Sequence, residues 1–276
     1  MSSVHNRPDD SSQGTSNRLS VRFFGHSSMA LAEQGDGDSL VERTTSELRR
    51  LRPGVDWRCD SDLLYISPGM ANHVRRRIDG KVNDVAVVRV TEVHFLHDYV
   101  VYRIRQRWPG VYRKAVRLSE MLVSLAGGGP SGAPSMRGWI FRLPRWIGAR
   151  LIGVAPEVEV EDAVAYTTQT LDALLRAENV HVVLVSSSNS MTPNFPAPEA
   201  KRRRSVYMGE MRRYCRQHTV LLLNPAAVAA GLGTQIRLGR DGWHEDLEGR
   251  DLQAWMYAQA VVQALEGRRE FEFAPS

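Results

Sequence analysis

Asp84-Val85-Ala86-Val87-Val88-Arg89-Val90 is the stretch that decides the fold of this chain. A strand with one face in water alternates apolar and polar residues. A short run with almost no alternation is covered on both faces, as the strands of parallel sheets are. Strand signals recur on either side of it. Leu19-Ser20-Val21-Arg22-Phe23-Phe24 and Val55 to Cys59 read as strands before it, and Val180 to Val185 and Val220 to Leu223 as strands after it. Helical spacing fills the gaps at Ser39 to Leu51, Ala71 to Ile78, Val160 to Ala177, a basic stretch ending at His218, and Leu247 to Leu265. Ser39 and Glu42 have capping-box spacing, and Asp246 is placed to cap the last helix. Strand and helix alternate along the chain, which predicts an α/β fold whose parallel sheet is covered on both sides.

One segment breaks the alternation. From His97 to about Pro156 the chain is long and irregular, with an amphipathic helix near Tyr112 to Leu125, then Gly127-Gly128-Gly129-Pro130 and the Trp- and Arg-rich Trp139 to Trp146. Two readings stay open. The segment is a lid whose Trp108, Trp139, Phe141 and Trp146 cover an acyl chain, or it is a helical excursion packed on the core. The glycine triplet is no phosphate loop, because no Gly-Lys-Ser/Thr follows it.

Composition narrows the class. The chain has 276 residues, 42% of them hydrophobic, enough to bury a sizeable core. Residues 1–18, rich in Ser, Asp, Asn and Gln, read as a disordered tail, and residues 19–270 as one domain. The tail has no apolar core of a signal peptide, and no run reaches the length that spans a bilayer. Two cysteines, Cys59 and Cys215, have neither metal-ligand spacing nor a disulfide pattern, which fits a reducing, cytoplasmic setting. The formal net charge is +5. Its densest basic run, Lys201-Arg202-Arg203-Arg204, lies in a predicted helix without interleaved aromatics. It reads as a solvated face, so nucleic acid is not the expected partner. His94, His97 and Asp98 lie close together but lack an evident third ligand, so no metal is expected, and no cofactor motif is found.

Chemistry concentrates at two distant points. In an open parallel sheet, sites form beyond the strands' carboxyl ends. Gly25-His26-Ser27-Ser28 follows the first strand, and Asp241-Gly242-Trp243-His244 follows the last strand and its loop. An Asp three residues before a His can hold the imidazole's tautomer and stabilise its protonated form, leaving the other ring nitrogen for a substrate. Ser27 at the same sheet edge supplies a nucleophile. A serine served by an Asp–His pair is the arrangement for acyl transfer through a covalent intermediate.

These blocks resemble those of the SGNH/GDSL-type hydrolases. That family opens with Gly-Asp-Ser after its first strand, where this chain has Phe24-Gly25-His26-Ser27. It closes with Asp-x-x-His before its last helix, where this chain has Asp241-Gly242-Trp243-His244 followed by Glu248-Gly249. The resemblance spans roughly Leu19 to Leu265. It implies a three-layer α/β/α sandwich with a flavodoxin-like, five-stranded parallel sheet. Ser27 becomes the nucleophile, His244 the general base and Asp241 its orienting carboxylate. The substrate would be a small-molecule ester or another acylated compound, with water or a second alcohol as acceptor. The oxyanion hole would use the Ser27 amide and Gly69. The family's third block, Gly-x-Asn-Asp, is missing: the third strand runs into Thr91-Glu92-Val93-His94. A Glu92 carboxylate would repel an oxyanion, so Glu92 is expected to point away, with Thr91 or His94 as the remaining donor. The departure also leaves open a binding module that keeps the fold without catalysis.

Overall fold

The run Val85–Arg89 is buried at every position, as an unbroken apolar strand requires. The structure, a computed structural model, describes residues 17–25, 39–79, 83–90, 92–96, 98–125, 150–178, 180–186, 198–237, 245–268 and 270–271. Within them the chain runs through β1 (Asn17–Gly25), α1 (Leu40–Leu51), β2 (Val55–Leu63), α2 (Met70–Ile78), β3 (Val85–Arg89), α3 (Val93–Leu96), β4 (Asp98–Tyr99) and α4 (Val100–Arg107). It continues with α5 (Pro109–Leu125), β5 (Ala155–Pro156), α6 (Val160–Leu175), β6 (His181–Val185), α7 (Pro198–Gln217), β7 (Val220–Leu223), α8 (Pro225–Gly231) and α9 (Leu247–Leu265).

Five strands form one sheet in the order β2-β1-β3-β6-β7, every neighbouring pair parallel. Counted within the sheet this is the doubly wound order 2-1-3-4-5, whose direction reverses between β1 and β3. Alternation along each strand feeds two cores. Phe24, Ala86, Val88, Val182 and Leu184 pack under α2, α6 and α7, around Val74, Leu171, Leu174 and Tyr207. Val21, Phe23, Val85, Val87, Val183 and Leu221 pack under α1 and α9, around Leu40, Leu48, Met256, Tyr257 and Val261. The result is the expected α/β fold with helices on both faces.

Sheet edges are blunted in two ways. Asp56, Arg58, Asp60 and Asp62 of edge strand β2 lie in register with Arg18, Ser20, Arg22 and Phe24 of β1. Arg22, almost fully buried, donates to Asp62 Oδ2 at 2.6 Å and to Asp60 Oδ2 at 3.2 Å. These charges also explain why β2 runs on to Leu63, beyond the Cys59 limit read from the sequence: its polar residues find partners on β1 rather than marking a turn. At the other edge, Glu270 forms a parallel bridge with Leu222 of β7. Charged and covered edges resist pairing with another chain.

Local signals set the helix ends. Ser39 Oγ accepts from the Glu42 amide at 3.2 Å while the Glu42 carboxylate accepts from the Ser39 amide at 2.6 Å, the capping box expected. The backbone hydrogen bond from Ser39 holds the Glu42 carboxyl below its ordinary range. Ser39→Ala removes one half of this box, and its expected cost is about 1 kcal/mol of stability. Urea unfolding would read this as a lower midpoint at unchanged slope; an unmoved midpoint would show that water replaces the cap. α5 starts at Pro109, before the Tyr112 boundary read from the sequence, because proline suits the first turn of a helix. The short α8 was not foreseen; it is capped by Asn224, whose side chain accepts from the Ala227 amide at 3.2 Å, with Pro225 at its first position.

Candidate active site

The carboxyl edge of the sheet at the β1/β3 reversal is organised around a buried ion pair. Phe24 is in register with Val88, so Gly25 and Arg89 end neighbouring strands. The Arg89 side chain donates to Glu245 Oε1 at 2.9 Å, with both residues almost fully buried. The same oxygen accepts from Gln253 Nε2 of α9 at 2.7 Å, and Arg250 Nε donates to the Glu245 carbonyl at 3.1 Å. Burial pushes the Glu245 carboxyl up, but the charge of Arg89 and the hydrogen bonds outweigh it and hold it below the ordinary range. Burial also pushes the neighbouring Tyr257 hydroxyl up to about 12.

Residues 238–244 lie outside the described residues, but both flanks of that stretch are fixed to the start of α9. The Asp246 amide donates to the Arg237 carbonyl at 3.1 Å, and Arg237 forms ion pairs with Glu248 and Asp246. Asp246 also caps α9, accepting from the Gly249 amide at 2.8 Å. Gly249 is required here: a Cβ would fall well inside contact distance of the Arg237 carbonyl oxygen, a backbone atom that cannot step aside. Gly249→Ala is therefore expected to lower the thermal midpoint of unfolding while the fold persists. Thermal melts followed by far-UV circular dichroism check this, and an unmoved midpoint would show that the flanks need not close so tightly.

Among the sequence-predicted site residues, Ser27, Asp241, His244 and Thr91 lie outside the described residues. Gly69 is the exposed N-cap of α2, its carbonyl accepting from the His73 amide at 2.9 Å. It has ordinary negative φ and open space where a Cβ would go, so nothing steric demands glycine there. His94 on α3 is partly buried. Its Nδ1 meets Glu157 Oε2 at 2.5 Å, and its ring sits edge-on to Tyr65 with centroids 6.3 Å apart. His94 Nε2 is buried and has no hydrogen-bond partner among the described residues. The hydrogen bond from His94 keeps the Glu157 carboxyl below its ordinary range, so it is ionised at neutral pH and orients the ring. Sequence reasoning missed Glu157, which lies 63 residues from His94; β5 carries the chain back alongside β4 and sets Glu157 beside α3.

Glu92 is fully buried, with Arg204 Nε 3.5 Å from its carboxylate, and its carbonyl starts α3 by accepting from the amides of Phe95 and Leu96. Asp98 meets Arg203 at 2.7 Å. Thus of the run Lys201 to Arg204, read as a solvated face, Arg203 and Arg204 turn inward to carboxylates, while Lys201 and Arg202 are exposed. His94 and Asp98 are committed to separate partners, and no group of three or more His, Cys, Asp or Glu among the described residues is placed to hold a metal ion. Cys59 and Cys215 are free, with burial raising the thiol pKa of each.

No family model matches the chain, and no curated protein matches it in sequence. Solved structures do. LAE5, an α/β hydrolase enzyme from the metagenome of Lake Arreo, Spain, is 14% identical, with 88% of this chain and 95% of that one covered at a TM-score of 0.51. Axe2, an acetylxylan esterase from Geobacillus stearothermophilus, is 11% identical over 88% of this chain and 94% of its own, at a TM-score of 0.49. At such identities the likeness to LAE5 is one of fold: the chain shares the doubly wound α/β architecture of that hydrolase.

Proposed function

We propose that the protein is an ester hydrolase of SGNH type that works through an acyl-enzyme on Ser27. His244 takes the Ser27 proton as Oγ bonds to the substrate's carbonyl carbon. Collapse of the tetrahedral intermediate expels the alcohol, which receives that proton from His244. Water, activated by the same imidazole, then releases the carboxylic acid and regenerates Ser27. Asp241 holds the imidazole. An alcohol in place of water would make the same chemistry an acyl transfer.

The observation that carries this reading is the Arg89–Glu245 pair. It ties the residue after His244 to the carboxyl end of β3, and β1, which ends two residues before Ser27, is the neighbouring strand. The described residues nearest the two proposed reacting groups, Gly25 and Glu245, therefore meet at one sheet edge, which supports this reading. The shared fold with LAE5, described as a hydrolase, agrees. For the oxyanion, the Ser27 and Gly69 amides are joined by Thr91 or by His94; with Nδ1 donating to Glu157, His94 Nε2, which has no partner among the described residues, donates only when the ring is an imidazolium. Burial of Glu92 against Arg204 agrees with a carboxylate kept out of the hole.

A fluorophosphonate probe tests the proposal. It should label the wild type and not Ser27→Ala. An unlabelled wild type would instead favour a binding module that keeps the fold without catalysis, the reading suggested by the missing Gly-x-Asn-Asp block.

A further inference from the structure

The chain's charge is unevenly placed. α4 and α5 hold six basic residues, Arg103, Arg105, Arg107, Arg113, Lys114 and Arg117, against one acid, Glu120. The remaining residues hold 30 basic and 30 acidic side chains, so this helix pair carries the whole formal net charge of +5. Arg107, Arg113, Lys114 and Arg117 are exposed and have no acidic partner among the described residues.

The same two helices expose apolar surface. Tyr112 and Val116 are half-buried, and Arg105 of α4 lies 5.7 Å from the centre of the Tyr112 ring. The other side of α5 is bare: Val111 is 53%, Leu118 54% and Met121 52% exposed, with Trp108 just ahead at 49%. Positions 111, 118 and 121 share one side of a helix, Lys114 stands within that side, and Arg113 and Arg117 run along its flank. Leu151 and Val154, 77% and 41% exposed, add apolar surface where the chain returns.

From this juxtaposition we infer that α4–α5 is a docking surface for an anionic lipid bilayer. A helix with apolar residues on one side and basic residues around them lies in the headgroup plane, its apolar side in the acyl boundary and its cations on lipid phosphates and carboxylates. Nucleic acid would use the cations but has no use for a row of Val111, Leu118 and Met121, since its readout is by phosphate contact and base stacking. None of the described helices is long and apolar enough to cross a membrane, so attachment through α4–α5 would be peripheral. The excursion leaves and rejoins the domain at β4 and β5, which pair Asp98 with Pro156 beside the His94–Glu157 contact. A bilayer held by α5 would thus lie on the side of the molecule where the sheet's carboxyl edge opens.

Vesicle co-sedimentation of the full chain tests this. Binding is expected to phosphatidylcholine–phosphatidylserine vesicles, not to phosphatidylcholine alone, and it should weaken with added salt. Arg113→Glu/Lys114→Glu/Arg117→Glu should lower the partition coefficient roughly a hundredfold. Val111→Ser/Leu118→Ser/Met121→Ser should lower it comparably, because the insertion is apolar. All six positions are exposed, so both variants should fold, as their thermal midpoints will report. Both should keep wild-type turnover of a water-soluble ester, which separates failure of the docking surface from failure of the hydrolase reading. Three results overturn the inference. One is absence of binding to either vesicle. Another is retention on single-stranded DNA that survives the serine variant but not the charge reversal, which marks a nucleic-acid surface. The third is concentration-dependent dimerisation abolished by the serine variant, which marks a contact between copies.

Discussion

Ser27→Ala is expected to lower kcat for a simple ester by roughly a millionfold, to the residual rate that substrate binding and the oxyanion hole sustain, with the circular dichroism unchanged. In the proposed mechanism the substitution takes away the nucleophilic hydroxyl. His244→Ala should lose about as much, because a serine without its base is a poor nucleophile at neutral pH. Asp241→Asn should lose less, on the order of ten-thousandfold, since it leaves the base in place with the wrong tautomer favoured. The double variant Ser27→Ala/His244→Ala should be scarcely worse than either single one, because residues that act as one unit are not additive. Losses that multiplied would mean separate roles. Ser28→Ala should retain most of its activity; a dead Ser28→Ala would move the nucleophile by one position. In the wild type, activity should rise with pH through one histidine ionisation, as a general base requires.

The fold was legible because its signals are local. The run from Val85 to Val88 needs two covered faces wherever it sits, and the structure buries all of it. Ser39 with Glu42 and Asp246 with Gly249 are caps complete within four residues, and both form. What escaped the sequence depends on contacts across the chain. The polar residues of β2 look like loop until Arg18 and Arg22 are set beside them. Arg203 and Arg204 look solvated until the turn before α3 supplies Glu92 and β4 supplies Asp98. Glu157 has no motif at all; its value comes from a return strand that brings it to His94. The site divides in the same way. Asp241 and His244 are conspicuous because they are three apart, whereas Arg89 and Glu245, which fix the end of that block to the sheet, are 156 residues apart and carry no pattern.

Glu245→Gln should destabilise the protein by about 3–5 kcal/mol, the cost of leaving a buried charge without its counter-ion. Arg89 is almost fully buried, so its guanidinium cannot turn to water when Glu245 becomes neutral, and Gln253 offers an amide in place of a charge. Replacing both members by apolar residues of similar volume, Arg89→Met/Glu245→Leu, should cost less than the single change, because desolvation of two ions is then relieved together. A double variant worse than Glu245→Gln would show that the side-chain hydrogen bond from Gln253, rather than the charge pair, sets the energy. The pair also fixes the sign of the pH dependence. The Glu245 carboxyl is held below its ordinary range, so its contribution to stability is complete above that range and is lost as pH falls through the folded-state value. Urea midpoints measured from neutral pH down into the acid range should therefore fall in the wild type. In Arg89→Met/Glu245→Leu the part of that fall due to Glu245 should be absent, leaving a shallower slope. Because Glu245 follows His244 directly, the proposed mechanism expects both variants to lose ester turnover, and the double variant to regain much of the stability lost in Glu245→Gln without regaining turnover: an apolar pair can fill the space, but it does not reproduce the directional bonds that Glu245 makes to Arg89 and Gln253.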